Sequence, residues 1–491
     1  MIPIIYKLRA SIRFEARGDS FLVVSDAPLN VVQASERAVQ ILQLCNGART
    51  LLQIADEAGI NEDRVFGICD YFNRKSVLEI QAAKNDGYFP SISIIIPTRD
   101  RGKSVVECLE SLYSQDYPAD RVEMIVIDDG SRDDTRRLVS GFSCTLLTNP
   151  ENRGQSYCRN LGAQRARHEI LAFLDDDCVA GRTWLKDLAP YFQWAEAGAV
   201  GGHVDGYSNR SMLDRYEKEF SLLNLGRFMF RGVNDRFFVP TCNMLVRKTA
   251  FVETGGIRET LHVGEDVDFC WRLRDAGWQA IYVPTGTVMH KHRNTFWKWM
   301  RRRADYGASE AVLSTLHPHR PKVLQWHFPA AFAFLCACCA IAGFSFYPLI
   351  GTAASLIAET ASKTFRLRRK HVQISLGKVC FSVFRTCMSF FYMMSFHLVR
   401  YYFVLFLVLG FEFHSLWALA FLFLMISGSV EYFAKHPRLS FPLFLFFHAL
   451  DQISYQLGVL AGCLRARSFR SYLVRYMRRL DPESSSHHRP R

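Results

Sequence analysis

Three consecutive acids, Asp175-Asp176-Asp177, follow the apolar run Ile170-Leu171-Ala172-Phe173-Leu174. A run of that kind reads as a buried strand, so three like charges gather at one strand end. They repel one another unless a cation compensates them. Carboxylates together with substrate phosphates are the usual oxygen donors for Mg²⁺ or Mn²⁺. Alternation along an extended chain sends Asp175 and Asp177 to the same side, which makes those two the ligand pair. The competing reading is a solvated acidic turn. His290 follows a strand expected at Ala280–Val283 and is a candidate third ligand, although a single histidine is as readily structural.

Three further groups accompany the acids. Gly264-Glu265-Asp266-Val267-Asp268 precedes a helix expected from Cys270 to Ala276. Acids there can serve the helix dipole, or one can act as a general base that takes a proton from a hydroxyl. Val126-Ile127-Asp128-Asp129-Gly130-Ser131 ends another apolar run, where carboxylates can meet a base or ribose; the same residues also make a good turn. Ile94-Ile95-Ile96-Pro97-Thr98-Arg99-Asp100 is a third strand end, cut by proline. In open α/β sheets, ligands bind at the carboxyl ends of the strands.

Strands and helices alternate from 91 to about 295, with a helix at Lys103–Gln115, a strand at Glu123–Ile127 and a helix carrying Arg159–Arg167. That rhythm predicts a doubly wound α/β domain. Residues 1–85 read as a small separate module, with strand-like alternation at Tyr6–Phe14 and Ser20–Ser25 around Arg17-Gly18-Asp19. Three short helices are expected after it, within 35–44, 50–58 and 61–75. The order resembles a winged helix, closed by a linker at Asn85-Asp86-Gly87.

The last third is different in kind. Of 491 residues 49% are hydrophobic, and the apolar ones concentrate after Trp326, as in a membrane part joined to a globular part. Phe328–Ala358 suits a hairpin bending near Tyr347-Pro348. Residues 372–400 suit an interfacial helix, 401–433 an apolar segment, and 441–463 an ambiguous one containing Asp451 and Gln452. The net charge of +13 gathers in Arg301–Arg303, Arg366–Lys370 and Arg465–Arg479, beside the apolar stretches. Basic clusters so placed read as membrane-surface anchors on the cytoplasmic side, and no nucleic-acid module is present. The 14 cysteines show no pairing pattern, which fits a reducing compartment, and the N-terminus has no signal-peptide pattern.

The strand-end motifs, in this order and spacing, resemble the family 2 glycosyltransferases with the A-type nucleotide-sugar fold (GT-A) over about residues 91–310. The resemblance implies that Pro97, Thr98, Arg99, Asp100 and Asp129 contact the nucleoside. Asn152-Arg153-Gly154 with Arg159-Asn160 would form the loop and helix beside the nucleoside and diphosphate, and Asp176 joins this donor-binding set. Asp175 and Asp177 match the family's metal motif. Asp266 matches the base of inverting members, with its neighbour Glu265. The Gln-x-x-Arg-Trp motif of processive members is absent. The flanks resemble, at residues 1–85, the peptide-chaperone domain of the pyrroloquinoline-quinone system and, at Asp451–Ser468, the tail of mycofactocin-system glycosyltransferases.

The resemblance implies a metal-dependent inverting transferase that moves a hexose from a nucleotide-sugar donor such as a UDP-sugar. The acceptor would be a hydroxyl, in that subgroup one on a peptide-derived redox cofactor. The expected layout is a peptide-binding module at 1–85, a catalytic domain at 91–310, membrane helices at 326–463 and a basic cytoplasmic tail at 464–491. Its expected place is a bacterial inner membrane, multi-pass, in contact with lipid. Two alternatives stand beside it: a transferase for a lipid-linked or polysaccharide acceptor, and a non-catalytic peptide-binding adaptor.

Overall fold

The computed structural model describes residues 4–18, 20–26, 29–82, 87–226, 230–231, 236–292, 295–343, 345–369, 371–372 and 374–477. It forms two compact units, Met1–Arg293 and Asn294–Arg491. The expected turn residue Asp19, the linker residues Asn85 and Asp86, Lys370 and the tail beyond 477 lie outside the described residues.

In the first unit the run Ile92–Thr98 is buried at every position, as a strand covered on both faces must be. It lies within an eight-stranded sheet whose order is 230–231, 279–282, 197–201, 243–247, 170–174, 92–98, 122–128 and 145–148. The last four of these strands run parallel, while 243–247 runs antiparallel to both its neighbours. The sheet is therefore mixed, a GT-A type of α/β layering. Helix Gln155–Arg165 approaches it closely because residue 162 is glycine. A Cβ there would stand 2.5 Å from Ile95 Cγ2 and 2.9 Å from Ile127 Cδ1. A second sheet of three short strands, in the order 178–180, 288–290 and 204–206, pairs Cys178 directly with His290.

The N-terminal module has the expected order of strands and then helices. Tyr6–Phe14 is not one strand, however. The chain turns after Leu8, so Ile4–Leu8 joins a sheet with Asn46–Thr50 and Leu78–Ala82, while Ile12–Arg17 begins a separate meander with Ser20–Asp26 and Leu29–Ser35. Helices Glu36–Leu44, Leu51–Ala58 and Glu62–Arg74 follow. Thr50 and Gln53 close the start of the second of them in a reciprocal cap. The apolar core runs from these helices into the α/β part without a break, and the rings of Phe66 and Trp194 lie 6.1 Å apart.

The second unit holds six helices among the described residues: Phe296–Leu316, Phe328–Ala342, Tyr347–Arg369, Leu376–Leu409, Ser415–Lys435 and Phe441–Ala466. The last three are long and apolar enough to cross a membrane, and this unit is membrane-associated on that composition. The hairpin is present, with its break just before Tyr347. The expected division at residue 400 is not, because Leu376–Leu409 is continuous. Its break comes at Gly410, where a Cβ would meet the Trp417 ring at 2.2 Å. The expected end of the α/β domain at 310 falls inside helix 296–316.

That helix lies against helix 441–466 along a seam of small residues. A Cβ on Gly307 would stand 2.1 Å from the Tyr455 carbonyl oxygen, and one on Gly458 would stand 2.0 Å from that of Ala304. Backbones this close admit no larger side chain. The seam explains the polar residues that made 441–463 ambiguous. Asp451 faces Arg303 at 3.4 Å, and both are buried. Arg303 is therefore an internal counter-charge, not a membrane-surface anchor. Glu310 accepts hydrogen bonds from Tyr401 (2.9 Å) and Tyr455 (2.6 Å) and pairs with Lys322. Strands Lys322–Gln325 and Val474–Met477 pair in parallel and tie part of the basic tail back onto the unit.

Gly458→Leu forces a branched side chain into the seam. Overpacking costs about 1–3 kcal/mol or more, so the detergent-solubilised variant is expected to melt at a lower temperature. An unchanged midpoint would contradict the close approach. Asp451→Ala leaves Arg303 without this counter-charge, at a cost of about 3–5 kcal/mol. The double variant Arg303→Met/Asp451→Leu is expected to recover most of that in the same melting measurement.

Candidate functional site

Strand 170–174 ends between strands 92–98 and 243–247, and its three acids emerge where the parallel strands finish. The structure separates them. Asp175 accepts a 2.6 Å hydrogen bond from Arg159 Nη2, and the other arm of that guanidinium donates to Glu265 at 3.0 Å. Arg159 is 1% exposed, and helix 155–165 brings it there because Gly162 lets the helix sit low on the sheet. Its side chain ties the end of strand 170–174 to the start of helix Glu265–Asp275, distant in sequence.

Asp176 turns the other way. It accepts from Thr98 Oγ1 at 2.7 Å and from Arg101 Nη1 at 2.9 Å. Burial pushes its carboxyl up to about 6, against the opposing pull of Arg101. Asp177 takes the same Arg101 nitrogen at 2.5 Å on Oδ2. Burial resists its ionisation too, but His290 and Arg101 outweigh burial and hold the carboxyl below its ordinary value.

The remaining oxygen of Asp177, Oδ1, is buried, makes no hydrogen bond, and lies 3.4 Å from His290 Nε2. Asp177, Cys178 and His290 offer ligand atoms that all lie within 4.8 Å of one another. Asp175 is not part of that group. His290 Nδ1 lies 3.2 Å from His292 Nδ1, and a hydrogen bond between them fixes the ring so that Nε2 faces the acid. An unpartnered carboxylate oxygen facing an imidazole nitrogen is a donor set that suits a divalent cation. Burial pushes the Cys178 thiol beside it up.

The other expected residues divide between the crevice and its supports. Pro97 and Thr98 are buried at the strand end, and Arg99 and Asp100 are exposed at its mouth. Asp100 holds a positive φ of 51°, its N–H donating to Ser131 Oγ and its carboxylate accepting from the Arg132 N–H. Asp129 is buried, with both oxygens taken by the chain: Asn149 and the N–H of Arg153 donate to one, the N–H of Gly154 to the other, each at 2.8 Å. It shapes the loop that leads into helix 155–165. The Arg153 guanidinium lies over the Tyr157 ring, 4.4 Å from its centroid. Asn160 exchanges two hydrogen bonds with the backbone of Ile257 and so braces the segment before the Glu265 helix. Glu265 is buried and accepts from Gln155 as well as Arg159, whereas Asp266 is half-buried at the first turn of its helix.

Two participants escaped the sequence reading. Arg101 follows the Thr98-Arg99-Asp100 motif by one residue and looks there like an ordinary surface charge. The one signal was an arginine in a loop at the same sheet edge as three acids. His292 was visible only as the i+2 neighbour of His290.

Residues 93–255 match the model of glycosyl transferase family 2. Over 239 residues the chain is 31% identical to the pre-mycofactocin glycosyltransferase of Mycobacterium tuberculosis (strain ATCC 25618 / H37Rv), covering 47% of this chain and 48% of that protein. It is 30% identical over 201 residues to glycosyltransferase AglE of Haloferax volcanii, covering 40% of this chain and 64% of that one. The chain thus spans about half the length of the pre-mycofactocin relative it matches. Among solved structures it is similar to mannosyltransferase PcManGT from Pyrobaculum calidifontis in complex with GDP-Man and Mn²⁺. That likeness has 18% identity and a TM-score of 0.38, and covers 63% of this chain and 90% of that one. The chain carries a family 2 glycosyltransferase domain.

Proposed function

We propose that this protein transfers a hexose, with inversion, from a nucleotide-sugar donor to an acceptor hydroxyl, and that it does so with a divalent metal. The observation that carries the reading is the meeting of Asp177, in the turn between strands 170–174 and 178–180, with His290 of strand 288–290, which leaves one carboxylate oxygen facing an imidazole nitrogen. Those two side chains would hold the cation, with Asp175 able to join if its bond to Arg159 yields. A cation so held supplies positive charge where the departing nucleoside diphosphate becomes negative. Thr98, Arg99, Asp100 and Arg153 line the crevice open to the nucleoside and diphosphate. Asp266 would take the acceptor proton, since it is the more open of the two acids at its helix start. Glu265, held by Arg159 and Gln155, positions that turn.

The acceptor we favour is a peptide-derived redox cofactor. Its support is the likeness to the pre-mycofactocin transferase together with the N-terminal module, whose meander presents strand edges suited to an extended peptide. A lipid-linked acceptor is the second reading. It is favoured by an apolar groove of about 700 Å³ between helices 347–369 and 376–409. The membrane helices would place the enzyme in a bacterial inner membrane with the catalytic domain cytoplasmic. Transfer assays on detergent-extracted protein with each acceptor class separate the two readings.

Asp177→Ala and His290→Ala are each expected to abolish transfer and to weaken Mn²⁺ binding in the presence of UDP, measured by titration calorimetry. Undiminished turnover after exhaustive chelation would rule the metal out. Asp266→Asn keeps size and most hydrogen bonds but cannot accept the proton. General-base assistance contributes about 10²–10⁴-fold, and a fall of that order in kcat is expected, with donor affinity little changed. Glu265→Gln should cost less in kcat. The reverse ranking would move the base to Glu265.

A further inference from the structure

Arg101 stands in an unusual position for a surface arginine. It lies in the turn between strand 92–98 and helix Gly102–Tyr113, where its N–H donates to Thr135 Oγ1 at 3.1 Å. The backbone is therefore fixed while the side chain reaches away from it. One guanidinium nitrogen, Nη1, bridges Asp176 Oδ1 at 2.9 Å and Asp177 Oδ2 at 2.5 Å. The rest of the fork makes no hydrogen bond or ion pair among the described residues. Its side chain is 41% exposed, whereas those of the two acids are 7% and 20% exposed. The arginine is thus held through one guanidinium nitrogen, and its side chain is partly exposed. Arginine more often meets carboxylates through two nitrogens in parallel. Here a single nitrogen sits between two acids, as a point cation would.

The charges around it give this contact a role. Of the three acids, Asp175 is compensated by Arg159, which is 1% exposed and held at both arms. Asp176 and Asp177 have Arg101, with His290 on the far side of Asp177. A divalent cation between Asp177 and His290 would repel the guanidinium and compete with it for the same carboxylate. The cost of displacing Arg101 falls when a diphosphate is present, because phosphate oxygens accept the freed guanidinium as well as a carboxylate does.

We infer that Arg101 is an exchangeable counter-cation of the acid cluster, which opposes metal entry when no donor is bound and makes metal and nucleoside diphosphate bind together. The inference rests on the metal reading of Asp177 and His290 and adds to it a residue that sets the order of binding. With no donor present, Arg101 holds the acids neutralised and the cation excluded. When donor and metal arrive together, the guanidinium passes from carboxylate to phosphate. Coupling of this sort is reciprocal, so UDP should tighten Mn²⁺ binding by the factor by which Mn²⁺ tightens UDP binding.

Titration calorimetry of the full-length protein with Mn²⁺, with and without saturating UDP, tests this without any turnover. In wild type, UDP should tighten Mn²⁺ by a factor in the range of about 5–150. In Arg101→Gln, Mn²⁺ alone should bind more tightly than to wild type, and the coupling factor should fall to the part that direct attraction between cation and diphosphate supplies. Arg101→Lys keeps the charge and should retain most of the coupling, which separates loss of charge from damage to the loop. If Arg101→Gln binds Mn²⁺ alone no better than wild type, or keeps the full coupling, Arg101 is not the competitor. If wild type binds no Mn²⁺ even with UDP, the metal reading of Asp177 and His290 fails, and this inference fails with it.

Discussion

Three carboxylates in sequence at the end of a buried strand must each find compensation, and the architecture of the first unit follows from how they do so. Asp175 is met by Arg159, Asp176 by Thr98 and Arg101, and Asp177 by Arg101 with His290 beyond it. Each partner arrives on a different element: a helix, a strand end and its following turn, and a small second sheet. Neutralising adjacent like charges in a poorly solvated crevice therefore draws several distant pieces of chain to one point. A protein that needed only a stable turn could have used serine or asparagine. The three adjacent acids, with Asp177 Oδ1 making no hydrogen bond and lying beside His290, are what the proposed metal reading rests on.

Arg159 shows how packing controls this chemistry. A buried guanidinium is tolerated only when fully compensated, and Asp175 and Glu265 compensate it from opposite sides. The helix that carries it sits low enough to do so because Gly162 has no side chain to hold it away from Ile95 and Ile127. The same pairing fixes Glu265, while Asp266 beside it is half-buried.

The second unit solves a related problem in a different solvent. Polar side chains in apolar helices are costly unless paired, and here they are paired internally, Asp451 with Arg303 and Glu310 with Tyr401, Tyr455 and Lys322. The glycine seam between helices 296–316 and 441–466 brings the backbones close enough for those short reaches. What looks in one dimension like a poor membrane segment is in three dimensions the partner of a charged helix.

The sequence by itself determined the elements and the classes of residue. Strands were legible at 92–96, 123–127 and 169–174, the first as a continuous β-branched run, because covering both faces removes any polar alternation. The acid cluster and a bend near Tyr347 were legible for similar local reasons, whereas the helix expected from Cys270 starts five residues earlier, at Glu265. Pairings between distant segments were not. Periodicity carries no information about which loop faces which, so Arg101 drew no reading, Arg303 read as a membrane-surface anchor, and Asp129 and Asn160 as free to meet a ligand. Tertiary structure decided that Asp175 goes to Arg159 while Asp177 goes to His290, although alternation placed the two acids together. The reason is that the chain turns sharply after Asp175, where the Cys178 N–H donates to the Asp175 carbonyl, and then pairs Cys178 with His290 in the second sheet. Strand alternation ends where the strand ends, and beyond that point only the folded contacts choose a side chain's direction.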